Sequence, residues 1–132
     1  EIISNDTDDP NVYLAAANVA GQIDSVETSI FIMEQGIEKF GELEELTSNY
    51  AIYLAGADRI TEAEKTLRKQ LLTSEAPQAV KLNLANILTM HDSREKKLEA
   101  YDLYKELYAQ VGNVLKLDST IKALEQELNI SN

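Results

Sequence analysis

The side chains of this 132-residue chain that could carry chemistry are few, and their spacing points away from catalysis. The one histidine, His91, stands beside Asp92, and a general base needs a nucleophile and an orienting group placed around it. No such partner set is evident, so His91 reads as an exposed turn residue. Asp6, Asp8 and Asp9 resemble the acidic half of a calcium loop, but the turn glycine and the distal bidentate glutamate are missing at the required spacing. Residues 1–8 therefore read as a flexible acidic tail. Cysteine is absent, which removes disulfides, thiolate metal sites and cysteine nucleophiles together. There is no phosphate-cradling glycine loop, dinucleotide glycine motif, zinc histidine pair or G-x-S-x-G elbow. Carboxylate pairs such as Glu44-Glu45 fall on charged helical faces that solvation explains. The expectation is a protein that is not an enzyme and has no catalytic, metal or cofactor residues.

Charge narrows the partners. The net charge is -11, with eleven carboxylates against Lys39 alone in residues 1–47 and twelve against eleven Lys and Arg in residues 48–132. So anionic a surface repels phosphate backbones. The one basic cluster, Arg94, Lys96 and Lys97, reads as a solvated helix start, and no nucleic-acid partner is expected. No apolar run approaches the ~18 residues of a membrane-spanning helix, because Asn18, Glu34, Asn49 and Lys81 interrupt them; no direct membrane insertion is expected. Glu1 in place of an initiating Met suggests a processed or excised chain, which leaves the compartment open.

The elements that must position any functional surface are helical. Hydrophobic residues make up 44% and charged residues 27% of the chain, with two prolines and five glycines, and the strong helix formers Ala, Leu, Glu and Lys dominate the interior segments. The chain also repeats itself at an offset of 34, a spacing within the range of helical repeat arrays. The offset aligns Ala17, Ala51 and Ala85; Ala16, Tyr50 and Leu84; Ala20, Leu54 and Leu88; and Asp24, Asp58 and Asp92. A recurring alanine is what two closely approaching helix backbones require, and an aspartate can cap the helix that follows. Second helices carry a small site and then a large apolar one four residues on: Ser29 and Met33, Ala63 and Leu67 and, after three additional residues near 93–97, Ala100 and Tyr104.

The spacing predicts helices near 10–21, 25–40, 43–55, 59–72, 77–90, 94–110 and 116–128. Pro10 and Pro77 suit first helical turns, and Gly41 and Gly112 suit C-terminal stops. Tyr101, Tyr104 and Tyr108 share one face and are expected in the core, as are Ile30, Met33, Ile37 and Phe40. Leu117, Ile121, Leu124 and Leu128 form the stripe of a capping helix.

These columns resemble the tetratricopeptide repeat. The second unit fits best, through Tyr50, Ala51 and Leu54 in the first helix and Ala63 and Leu67 in the second. Thr47 and Lys81 stand where the family carries Trp, Ala replaces its Gly, Gly41 and Glu75 replace the closing Pro, and the third unit carries an insertion. The resemblance implies an all-α, right-handed α-solenoid of antiparallel helix pairs with about seven helices. Its repeats would lie near 10–43, 44–77 and 78–114, with a cap near 116–128, in one domain over 9–132.

In proteins resembling this family, first helices line a concave groove that takes a peptide or partner helix. The resemblance places Leu14 and Asn18, then Ser48, Asn49 and Ile52, then Leu82, Asn83 and Asn86 on that face. The asparagines there either bond a peptide backbone or merely solvate a concave surface. A family subtype clamps C-terminal carboxylates with two asparagines and several basic residues. Asn18 and Asn49 match it, but Leu14, Ala79 and Asn83 stand where the basic residues belong, so the charge that clamp needs is missing. The expected function is a protein-binding adaptor and scaffold acting through the groove. The second reading is a structural segment of a longer repeat array, or a scaffold that self-associates as a homo-oligomer.

Overall fold

A computed structural model describes residues 9–130; the acidic tail expected over 1–8 lies outside the described residues. Seven α-helices follow in order: α1 Pro10–Ile23, α2 Val26–Phe40, α3 Glu44–Gly56, α4 Ile60–Thr73, α5 Pro77–Leu88, α6 Arg94–Val111 and α7 Leu117–Leu128. A short 3-10 turn, Val114–Lys116, precedes the last. There is no strand among the described residues. The chain groups into two compact units, Glu1–Gln70 and Leu71–Asn132. Residues 9–132 read as one domain in the sequence; the two units subdivide it within the last turn of α4.

In the first unit α1 packs on α2, α2 on α3, and α1 also touches α3. Tyr13 meets Gly36 while Ala17 meets Ser29, the reversed order of an antiparallel pair. The approach is close enough that the buried Ser29 hydroxyl donates to the Ala17 backbone carbonyl at 2.6 Å. A Cβ added at Gly36 would lie 3.3 Å from Tyr13 ring atoms, so glycine there makes room for the aromatic ring. Tyr13, Ala17, Ala20, Ile32, Met33 and Leu46 form the core, and Phe40 meets the Tyr13 ring edge-on at 5.6 Å between centroids.

In the second unit α5 packs on α6 and α6 on α7. Leu117, Ile121, Leu124 and Leu128 are all buried, as the capping stripe requires. The close-approach columns of the repeat are inside: Ala17, Ala51, Ala85, Ser29, Ala63, Ala100, Met33, Leu67 and Tyr104 are buried, whereas Ala16 and Tyr50 are half-buried and Asp24, Asp58 and Asp92 exposed.

The helix ends have local causes, with one correction. Asp9 caps α1 by accepting from the Asn11 N–H at 2.9 Å, and Pro10 and Pro77 open their helices. The repeated aspartates do not cap the following helices as the sequence predicts. Ser25 and Ser93, one residue later, accept from Thr28 and Lys96 N–H instead. Asp24 takes the Thr28 hydroxyl at 2.8 Å. Asp58 closes the preceding helix: at φ 65 its N–H reaches Ala55 O, and the Arg59 N–H reaches Leu54 O. This is a Schellman ending with aspartate in the usual glycine position. Gly41 and Gly112, at φ 86 and 81, are the expected stops.

The buried column makes Ala51 sensitive to volume. Ala51→Leu is expected to destabilise the protein by about 1 to 3 kcal/mol through overpacking, and Glu45→Ala, on an exposed face, to leave the urea midpoint nearly unchanged. Equal midpoints for the two variants would remove Ala51 from the helix crossing.

Candidate partner-binding surface

The first-helix residues outside the core fall into two sets, one in each unit. In the first, Asn18 on α1 and Ile52 on α3 occupy equivalent repeat positions, and both are exposed, Ile52 by 50%. Leu14 is half-buried and packs against the core cluster. Asn49 is half-buried, and its amide N–H donates back to the Glu45 carbonyl at 2.8 Å. Ser48 lies 3.2 Å from Nε2 of Gln70, which also donates to the Glu44 carbonyl at 3.3 Å. Gln70 is buried, and this polar strap from α4 to α3 was not foreseen. Its sequence signal is a glutamine three residues beyond Leu67 on the buried stripe of α4.

In the second unit Leu82 and Asn83 are half-buried and Asn86 is exposed. The Asn86 amide oxygen accepts a short hydrogen bond from the Tyr104 hydroxyl. Of the amides expected to meet a peptide, Asn49 and Asn86 thus each spend one group inside the protein. Burial pushes the Tyr104 phenol up to about 12, which keeps it a donor to Asn86 at neutral pH. Tyr101, also buried, donates to Glu125 of α7 at 2.8 Å. Tyr108 is 41% exposed and leaves the core that its spacing predicts: it lines an open pocket with Asp118, Ile121, Lys122 and Glu125 of α7.

Groups flagged for other chemistry are engaged otherwise. His91 is half-buried in its turn, not exposed as expected. Lys97 of the basic stretch pairs with Glu127, which holds its ammonium above the ordinary lysine range and ties α6 to α7. In the first unit, Tyr50 donates to Glu34 at 3.0 Å; burial first, and that bond second, raise its phenol pKa. Beside it is a cavity of about 150 Å³ lined by Ile37, Glu42, Thr47, Tyr50, Thr66 and Lys69. The buried Thr47 hydroxyl has no hydrogen-bond partner among the described residues.

Among the described residues no group of three His, Asp or Glu side chains is placed to hold a metal ion, and no helix is long and apolar enough to cross a membrane. Compared with known proteins, the sequence matches no protein-family model and no curated protein.

The raised tyrosines give the protein an alkaline limit. A phenol with a raised folded pKa contributes stability that is complete below the unfolded value near 10 and is lost as pH climbs through about 12. Tyr104→Phe should cost about 1 kcal/mol at pH 7 by removing the bond to Asn86, and should lose less stability than the parent between pH 10 and 12. Parallel alkaline limbs in denaturant titrations would remove Tyr104 as their cause. At the cavity, Thr47→Val keeps the shape and discards an unpaired hydroxyl, so it should stabilise by about 1 kcal/mol. A lower urea midpoint would mean that water satisfies the hydroxyl.

Proposed function

We propose that the chain is a tetratricopeptide-like, non-catalytic adaptor whose amino-terminal unit holds an extended or helical peptide on the outward face of α1 and α3. The observation that carries this reading is the pairing of Asn18 with Ile52. They are equivalent positions on two touching first helices, both exposed, beside core columns that are fully buried. Stability accounts for the columns and leaves this second face unused. An exposed isoleucine can bury a peptide side chain, and an asparagine amide offers a donor and an acceptor to a peptide backbone.

The bonded amides sharpen the site. Asn49 retains its amide oxygen as an acceptor, and Ser48 is shared with Gln70, so Asn18 and Ile52 are the better contacts. Leu14, half-buried on the same helix as Asn18, packs against the core. In the second unit, Leu82, Asn83 and Asn86 offer a comparable but more engaged set, because Asn86 holds Tyr104.

Selection of random peptides on the folded protein tests the proposal. The double variant Asn18→Ala, Ile52→Ser should keep the parent's melting temperature and bind the selected peptides at least tenfold more weakly, a loss of about 1.4 kcal/mol or more. Unchanged affinity in the folded variant would discard the face. A loss of binding in salt would then direct attention to Glu27, Glu34 and Glu38 and to basic peptides.

A further inference from the structure

The helix α1 carries a third face that lies outside the proposed peptide surface and touches the core only through the half-buried Ala16. Val12, Ala16, Val19 and Ile23 follow one another at intervals of four, three and four residues, the a/d spacing of a two-helix seam. Val12, Val19 and Ile23 are exposed by 42%, 50% and 80%. Val19 and Ile23 line a groove of about 460 Å³ with Ala15, Ala16, Ala20, Asp24 and Thr28. One turn beyond Thr28 on α2, Phe31 adds a phenyl ring exposed by 58%. At 100° per residue the seam lies well apart from Asn18 and from the buried Tyr13 and Ala17.

We propose that this face binds a second copy of the same chain, α1 against α1 in antiparallel orientation. Two features select that occupant. The first is charge: no residue of α1 itself is charged, although the chain carries -11 overall, so on this helix carboxylates flank the seam only at its ends, as Asp9 before α1 and Asp24 at the edge of the groove. The second is self-complementarity, which a two-fold contact requires. Reversing α1 about a point between Ala17 and Asn18 sets Val12 against Ile23 and Ala16 against Val19. Those are the a-to-d pairings of an antiparallel helix pair, with large side chains at both ends and the small alanine near the centre.

The contact is small. A helix of 14 residues is about 21 Å long. Its stripe, with Phe31, buries roughly 500 Å² in total, against the ~1,200 Å² or more of a stable complex. The association is therefore transient, with a Kd on the order of 0.1 mM. The inference is independent of the peptide surface, which lies on a different side of α1.

Sedimentation equilibrium of the full chain up to about 1 mM tests it. The expected result is a reversible monomer-dimer equilibrium that tightens as salt screens the repulsion between two anionic chains. Val19→Glu should weaken the association at least tenfold and leave the thermal transition unchanged, because Val19 is half exposed in the single chain. Register is read by disulfide trapping in this cysteine-free background. A mixture of Val12→Cys and Ile23→Cys chains should cross-link. Neither should do so alone, because like positions would lie roughly 16 Å apart along the seam, beyond the ~7 Å reach of a disulfide. A chain that stays monomeric throughout overturns the proposal. So does one that dimerises only after removal of residues 1–8, since that would make the tail the occupant. Cross-linking of Val12→Cys with itself would overturn the antiparallel register.

Discussion

The structure depends on how closely its paired helices approach. At the first crossing the Ser29 hydroxyl sits 2.6 Å from the Ala17 carbonyl, with both residues fully buried. A hydroxyl can reach an intrahelical carbonyl of the neighbouring helix only where no larger side chain separates the backbones. At the equivalent places Ala51 and Ala63, and Ala85 and Ala100, are likewise inside. Once these positions are small, the larger residues one turn away, Met33, Leu67 and Tyr104, must fill the flanks. The 34-residue repetition is thus a repetition of one packing requirement.

That requirement made most of the fold legible in the sequence. Small residues at a fixed offset, apolar stripes at helical spacing, Pro10 and Pro77 at helix starts and Gly41 and Gly112 at helix stops each report a local constraint. They place all seven helices within about two residues of where they lie. The capping residues were less legible, because Asp24-Ser25 and Asp92-Ser93 each offer two adjacent good caps. The choice rests on which residue is extended and aims its oxygen at the third N–H, and that falls to serine. Asp58 shows the same ambiguity from the other side: its short polar side chain tolerates the left-handed conformation, so it ends a helix where the pattern suggests it begins one.

The candidate surface was legible only as a set of positions. Helical spacing identifies residues that avoid the core, but not what each polar group bonds. Asn18, Asn49 and Asn86 are chemically identical in sequence. In the fold one is exposed, one bonds its own helix and one accepts from a tyrosine eighteen residues away. The last two bonds depend on rotamers and on the separation of α5 from α6, and neither leaves a trace in periodicity. Gln70 and Thr47 escaped for the same reason: a polar residue on a buried stripe signals either a strap or an unsatisfied group, and the fold holds one of each.

The composition of α1 ties these surfaces together. Ordinary amphipathic helices devote one face to the core and charge the rest. α2 and α4 follow that pattern, whereas α1 carries no charge and is apolar around most of its circumference. A helix of that kind leaves apolar surface in water unless more than one side is covered, and the core covers the side of Tyr13, Ala17 and Ala20, with Leu14 and Ala16 packed partly against it. α7, which closes the second unit, shows the contrast: its four apolar residues face inward, and Lys122, Gln126 and Glu127 are exposed. If α1 were only a terminal helix, the same economy would place Lys or Glu at Val19 and Ile23 without disturbing any buried contact. Valine at 50% and isoleucine at 80% exposure add little to the packing of the single chain, which is why the proposed second copy is set against them.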